Sequence, residues 1–137
     1  MNSLSPTQVN FLQGKSLLLV EDIEIFHTGM RSACKKMGME FRGAFTESEA
    51  LKVFHSGKRF DIILMIIHLG TQTLGYDVAK KILKLDPSAV IVSFSSADLQ
   101  SKRTLREGLM VEHFEKLTTA SYLCPAIHKV LKPISRI

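Results

Sequence analysis

The chain has no tryptophan, two cysteines and four prolines in 137 residues. Cys34 and Cys124 fall in no metal-ligand spacing, and the five histidines form no H-E-x-x-H pattern, which excludes the familiar zinc modules. No apolar run approaches the roughly 20 residues needed to cross a bilayer. The opening "MNSLSPTQVN" lacks the basic start and apolar stretch of a secretory signal. These absences set the expectation of a cytoplasmic protein with no membrane partner. No glycine-rich loop follows any apolar run, so no phosphate cradle for a nucleotide is expected, and no nucleophile–base pair marks an enzyme. Acid is the scarcer charge: 13 Asp and Glu stand against 18 Lys and Arg, a net +5. Excess positive charge favours acidic partners. The basic residues are nevertheless spread over several segments without a recognition helix or finger, so no nucleic-acid partner is expected.

What is present is an alternation of apolar runs with helical patterns, in a length that suits one domain. Residues 1–14 read as a leader, with Ser5 capping a short helix that carries Pro6 in its first turn. Its Val9, Phe11 and Leu12 are able to dock on the domain or on another chain. Residues 15–137 form the domain. "SLLLV" (16–20) is a buried strand, and Phe26, Met30, Ala33 and Met37 then recur at helical spacing up to Gly38. "MEFRGA" is a weaker strand. "TESEALKVF" opens with a capping box, Thr46 accepting from the Glu49 amide while the Glu49 carboxylate reaches back. A third strand is expected over 62–68, a helix from Gly75 to Pro87, a fourth strand over 89–94 and a helix over about 98–107. "EHFE" is a short fifth strand. A last helix reaches Leu131, with Pro125 in its first turn or at a kink.

Strands alternating with helices imply a parallel sheet covered on both faces. Ligands of such sheets bind at the C-terminal ends of the strands. There, Glu21 and Asp22 follow the first strand, Ser95 follows the fourth and Lys116 ends the fifth. Paired acids suit a hard cation such as magnesium.

These pieces resemble the receiver domain of two-component signalling. The resemblance covers about residues 15 to 131, through "LLLVED", "TESEAL", "FDIILM", "GYDVAKKI", "VIVSFSSA" and "FEK". "LQGKSLLLVEDIEI" is similar to the start of the receiver of a hybrid sensor histidine kinase. The resemblance implies an α/β, flavodoxin-like three-layer sandwich: a five-stranded parallel sheet in order 2-1-3-4-5 with five flanking helices. It implies that Glu21 and Asp22 match the family's magnesium-binding acids, Ser95 its phosphate-binding hydroxyl, Lys116 its lysine and His113 its aromatic switch. The phosphoacceptor position falls on Ile66, where the family has Asp. Three further departures accompany it. Gly75 comes one residue late, Gly70 stands in place of a proline, and Leu117 follows Lys116 where the family has proline.

Isoleucine has no lone pair to attack phosphorus and no charge for a cation. The expectation is a pseudo-receiver that needs no cofactor and holds magnesium weakly at best. It would act as a phosphorylation-independent protein-interaction module in a phosphorelay, with Lys116 turned onto Glu21 or Asp22. The expected partner is a sensor histidine kinase, another signalling protein, or a second copy. The contact would run through the fourth helix, fifth strand and fifth helix, a face carrying Lys102, Arg103, Arg106, Glu115 and Lys129. The alternative is a receiver with a non-standard acceptor such as His68, which strand alternation would aim as it aims Ile66. Asp61 lies too far back along the same strand to substitute, roughly 16 Å at 3.3 Å per residue.

Overall fold

The structure is a computed structural model that describes residues 4–70, 73–95 and 108–132. Its elements are α1 (Pro6–Leu12), β1 (Ser16–Val20), α2 (Glu24–Met37), β2 (Glu40–Ala44), α3 (Glu47–His55), β3 (Ile62–Met65), β4 (His68–Leu69), β5 (Thr73–Leu74), α4 (Gly75–Leu85), β6 (Ile91–Phe94), β7 (Glu112–Phe114) and α5 (Ala120–Leu131). Five strands form one parallel sheet in order β2-β1-β3-β6-β7, which is the expected 2-1-3-4-5 arrangement.

Consecutive strand residues point to opposite faces, and here both faces are dry. Leu17, Leu19, Ile62, Leu64, Val92 and Phe94 pack under α2 and α5, against Met30, Cys34, Met37, Leu123 and Ile127. Leu18, Val20, Ile63, Met65 and Ile91 pack under α3 and α4, against Ala50, Phe54, Val78 and Ile82. This two-sided burial is why the central strands β1 and β3 read as apolar runs, while the edge strands β2 and β7 carry charged residues. The helix that precedes β1 joins the first of these layers. Ser5 and Gln8 complete a capping box at the start of α1, and Leu12 is fully buried in the core.

Local chemistry sets the helix ends. Thr46 accepts from Glu49 N–H at 3.1 Å, while the Glu49 carboxylate accepts from Phe45 N–H at 2.6 Å. Gly38 closes α2 in the left-handed conformation, φ 70°. Gly75 opens α4 at a place where no side chain fits, since a Cβ there would lie 1.8 Å from the Ile66 carbonyl oxygen.

The expected third strand is cut short. Ile66 N–H still bonds Val20 O at 3.1 Å, but the strand ends at Met65. Gly75 N–H bonds Ile67 O at 2.7 Å and Gly70 turns at φ 72°, so the chain leaves the sheet. His68–Leu69 then pairs antiparallel with Thr73–Leu74 as a separate two-stranded ribbon. The fourth sheet strand begins at Ile91 instead of 89. Pro125 sits inside α5, beyond its first turn. The helix expected at about 98–107 lies outside the described residues. Asp61, at the opposite end of β3 from Ile66, accepts from the Ser16 amide at 2.8 Å.

Candidate functional site

The strand register brings the sequence's candidate residues to one edge. Val20, Met65, Ser93 and His113 form one row across the sheet, and Glu21 and Ile66 follow one residue on. Glu21 is completely buried. One carboxylate oxygen accepts from Ile23 N–H at 3.0 Å, and the other lies 3.0 Å from the Lys116 ammonium. That ammonium also sits 4.3 Å from the centre of the Phe26 ring. Lys116 is thus held between a carboxylate and an aromatic face, both attractive to a cation. Burial raises the Glu21 carboxyl above its usual 4.5, and the Lys116 charge and the Ile23 amide pull it only partly back.

Asp22 is exposed and turned elsewhere: its carboxylate accepts from Gly70 N–H at 3.1 Å, tying the turn after β4 to the end of β1. Ile66 is buried with Val20, Met65 and Val78 in the α3/α4 layer. A magnesium site needs several converging oxygens. Here one acid is paired with a lysine, one holds a turn, and the third position is a hydrocarbon. This set does not fit the ion. No group of three His, Cys, Asp or Glu able to hold a metal occurs among the described residues.

Ser95 is nearly buried at the end of β6, its amide bonded to Phe114 O at 3.2 Å. His113 is held on both ring nitrogens. Nδ1 lies 2.7 Å from Ser93 Oγ and Nε2 lies 3.3 Å from the Glu115 carboxylate. Glu115 N–H in turn donates to the Tyr122 hydroxyl at 2.6 Å, linking this strand end to α5. His68 is exposed on β4 and does not share the buried position of Ile66, so the alternation expected to align them fails. Of the expected interaction face, Glu115 and Lys129 are exposed, and Lys102, Arg103 and Arg106 lie outside the described residues.

Sequence reasoning missed three participants: Phe26, Ser93 and His27. His27 is buried, with Nε2 2.7 Å from the Glu21 carbonyl oxygen. Its ring stacks on Phe45 at 3.9 Å and meets Phe41 edge-on at 6.2 Å. Nδ1 has no hydrogen-bond partner and faces Gly43, where a Cβ would lie 2.3 Å away. The signal was "FRGAF": at period 2 it leaves a hole between two aromatic rings, and His27 fills it.

No family model matches the chain, and no curated protein does. Solved structures do. A receiver domain protein of the CheY-like type from Methanospirillum hungatei superposes with a TM-score of 0.76 at 21% identity, over 87% of this chain and 94% of its own. A two-component response regulator from Clostridium difficile gives 0.76 at 18%, over 86% and 96%. A response regulator from Thermotoga maritima, solved in complex with Mg2+-BeF, gives 0.71 at 26%, over 85% and 99%. The fold is that of the receiver domain of two-component response regulators.

Proposed function

We propose that this chain is a receiver-type binding module of a two-component or phosphorelay system that works without aspartyl phosphorylation and is not an enzyme. One observation carries the reading: Ile66, at the acceptor position by resemblance, is buried in hydrocarbon, while Lys116, the phosphate-binding lysine by resemblance, is engaged by Glu21 and Phe26. A phosphoryl group would find no nucleophile and a lysine already committed. The crevice therefore keeps one arrangement whatever the state of a kinase.

Such a module signals by occupancy, binding a sensor histidine kinase or another cytoplasmic signalling protein. Exposed apolar side chains support this. Ile23 and Ile25 follow β1 and Leu117 follows Lys116, all beside the closed crevice and all largely open to solvent. No described helix is long and apolar enough to cross a membrane.

The experiment is incubation with acetyl phosphate and magnesium, followed by intact-mass and peptide spectrometry. No stoichiometric phosphoryl adduct is expected, and a beryllium fluoride mimic is expected not to bind. A magnesium-dependent adduct overturns the reading. An adduct on exposed His68 in particular replaces it with the alternative of a non-standard acceptor.

A further inference from the structure

β2 ends the sheet on one side, and no described strand lies beyond it. Its backbone groups divide by period. Glu40 N–H bonds Lys15 O at 2.8 Å, and Ala44 O accepts from Glu21 N–H at 3.0 Å, so Glu40, Arg42 and Ala44 turn their backbone groups toward β1. The N–H and C=O groups of Phe41 and Gly43 then point outward. Natural edge strands are blunted with charged side chains, lysine above all, with proline or with a bulge. "EFRGA" has no lysine, proline or bulge and keeps an unbroken register with β1; its charges are Glu40 and Arg42, one of each sign, which select a partner strand by charge.

The flanks of this edge differ. On the α2 side lie the half-buried Phe41 ring and the hole at Gly43 filled by His27. On the α3 side lies a cavity of about 480 Å³ lined by Arg42, Phe45, Lys52 and Val53, among others. Glu49 also lines it, but its carboxylate is committed to the Phe45 amide. Arg42 and Lys52 are exposed and have no ionic partner among the described residues.

We propose that β2 accepts an extended peptide as a sixth, antiparallel strand, with the pattern apolar–acidic–apolar. The acidic residue sits opposite Arg42. That is the close, non-hydrogen-bonded pairing of an antiparallel ladder, on the side where Lys52 and the cavity lie. The two apolar residues sit opposite Phe41 and Gly43, exchange backbone hydrogen bonds with them, and cover the Phe41 ring. A second copy of this chain fits less well, because antiparallel pairing of β2 with itself about its centre sets Arg42 against Arg42.

The test is an isotope-edited NMR titration of the whole chain with acetyl-Ser-Thr-Val-Glu-Val-Thr-Ser-amide and its Glu-to-Lys counterpart. With the acidic peptide, shifts are expected to centre on residues 41–45 and Lys52, and exchange of the Phe41 and Gly43 amides to slow. The lysine peptide is expected to bind about fivefold more weakly. Arg42→Glu and Lys52→Glu, both at exposed positions, are expected to reverse that preference. Perturbation centred elsewhere, equal affinity for the two peptides, or no response at millimolar peptide overturns the proposal. So does concentration-dependent broadening of the β2 signals without peptide, which would identify a second copy as the occupant.

Discussion

By the resemblance, Ile66 stands where the receiver family carries its acceptor acid, and Ile66→Asp would then set a third carboxylate at the edge that holds Glu21 and Asp22. Without a cation, like charges repel and apolar burial worth roughly 1.5–3 kcal/mol is lost. The variant is expected to melt below wild type in chelator and to recover part of the difference in millimolar magnesium, since a ligand of the folded state stabilises it by mass action. Wild type should respond much less, and equal magnesium responses in thermal melts would show that Ile66 does not occupy the acceptor position. Glu21 gives a pH signature. Its carboxyl is raised in the fold, so its contribution to stability is whole below about 4.5 and is lost as pH rises through the raised value. Glu21→Gln removes that loss. The melting temperature of the variant relative to wild type is therefore expected to climb as pH increases from about 4.5, and a constant difference across the range would contradict the assignment. At this scale the sequence was half legible. Glu21 ends an apolar run and Lys116 follows the short "EHFE" strand, so both are legible as strand-end residues. Which acid Lys116 would choose depends on how the chain turns after β1, with Asp22 drawn to Gly70 N–H, and no local pattern records that. The Ser93–His113 bond depends on register between strands 20 residues apart in sequence.

The elements were legible wherever burial itself writes the pattern. "LLLV" and "IILM" are apolar throughout because both faces of the sheet are covered there. The end of β3 was not legible, since Ile66 and Ile67 are as apolar as the residues before them. What stops the strand is the approach of Gly75 to the Ile66 carbonyl, a contact between segments. Gly75→Ala must push the start of α4 away from that backbone oxygen and break the Gly75–Ile67 bond. A loss of about 2 kcal/mol or more is expected in denaturant melts, within the range of strain and core defects. A loss within about 0.5 kcal/mol, the size of an ordinary surface change, would mean that the close approach does not govern the turn.

For the molecule as a whole, the resemblance leads to the expectation of association through the face to which it assigns Arg103 and Arg106, both outside the described residues. A specific stable contact buries on the order of 1,200 Å² or more. Reversing both charges is expected to weaken the partner or dimer contact, most visibly at low salt where screening is weak. If sedimentation and pull-down show the same oligomer and partners for the double variant, contact runs elsewhere. The segment before β1 raises a different question, that of the shortest length of chain that folds. Leu12 of α1 lies in the layer that also holds Met37, Met39 and Leu123. Starting the chain at Lys15 would delete that side chain and leave a void lined by hydrocarbon. Losses of this kind run to roughly 2–5 kcal/mol for a buried leucine, a large share of the 5–15 kcal/mol that holds a typical domain together. The receiver-like segment alone is therefore expected to unfold at much lower denaturant than the full chain. A peptide of residues 4–14 added in excess should restore part of the midpoint, because the seat for Leu12 belongs to the folded state alone.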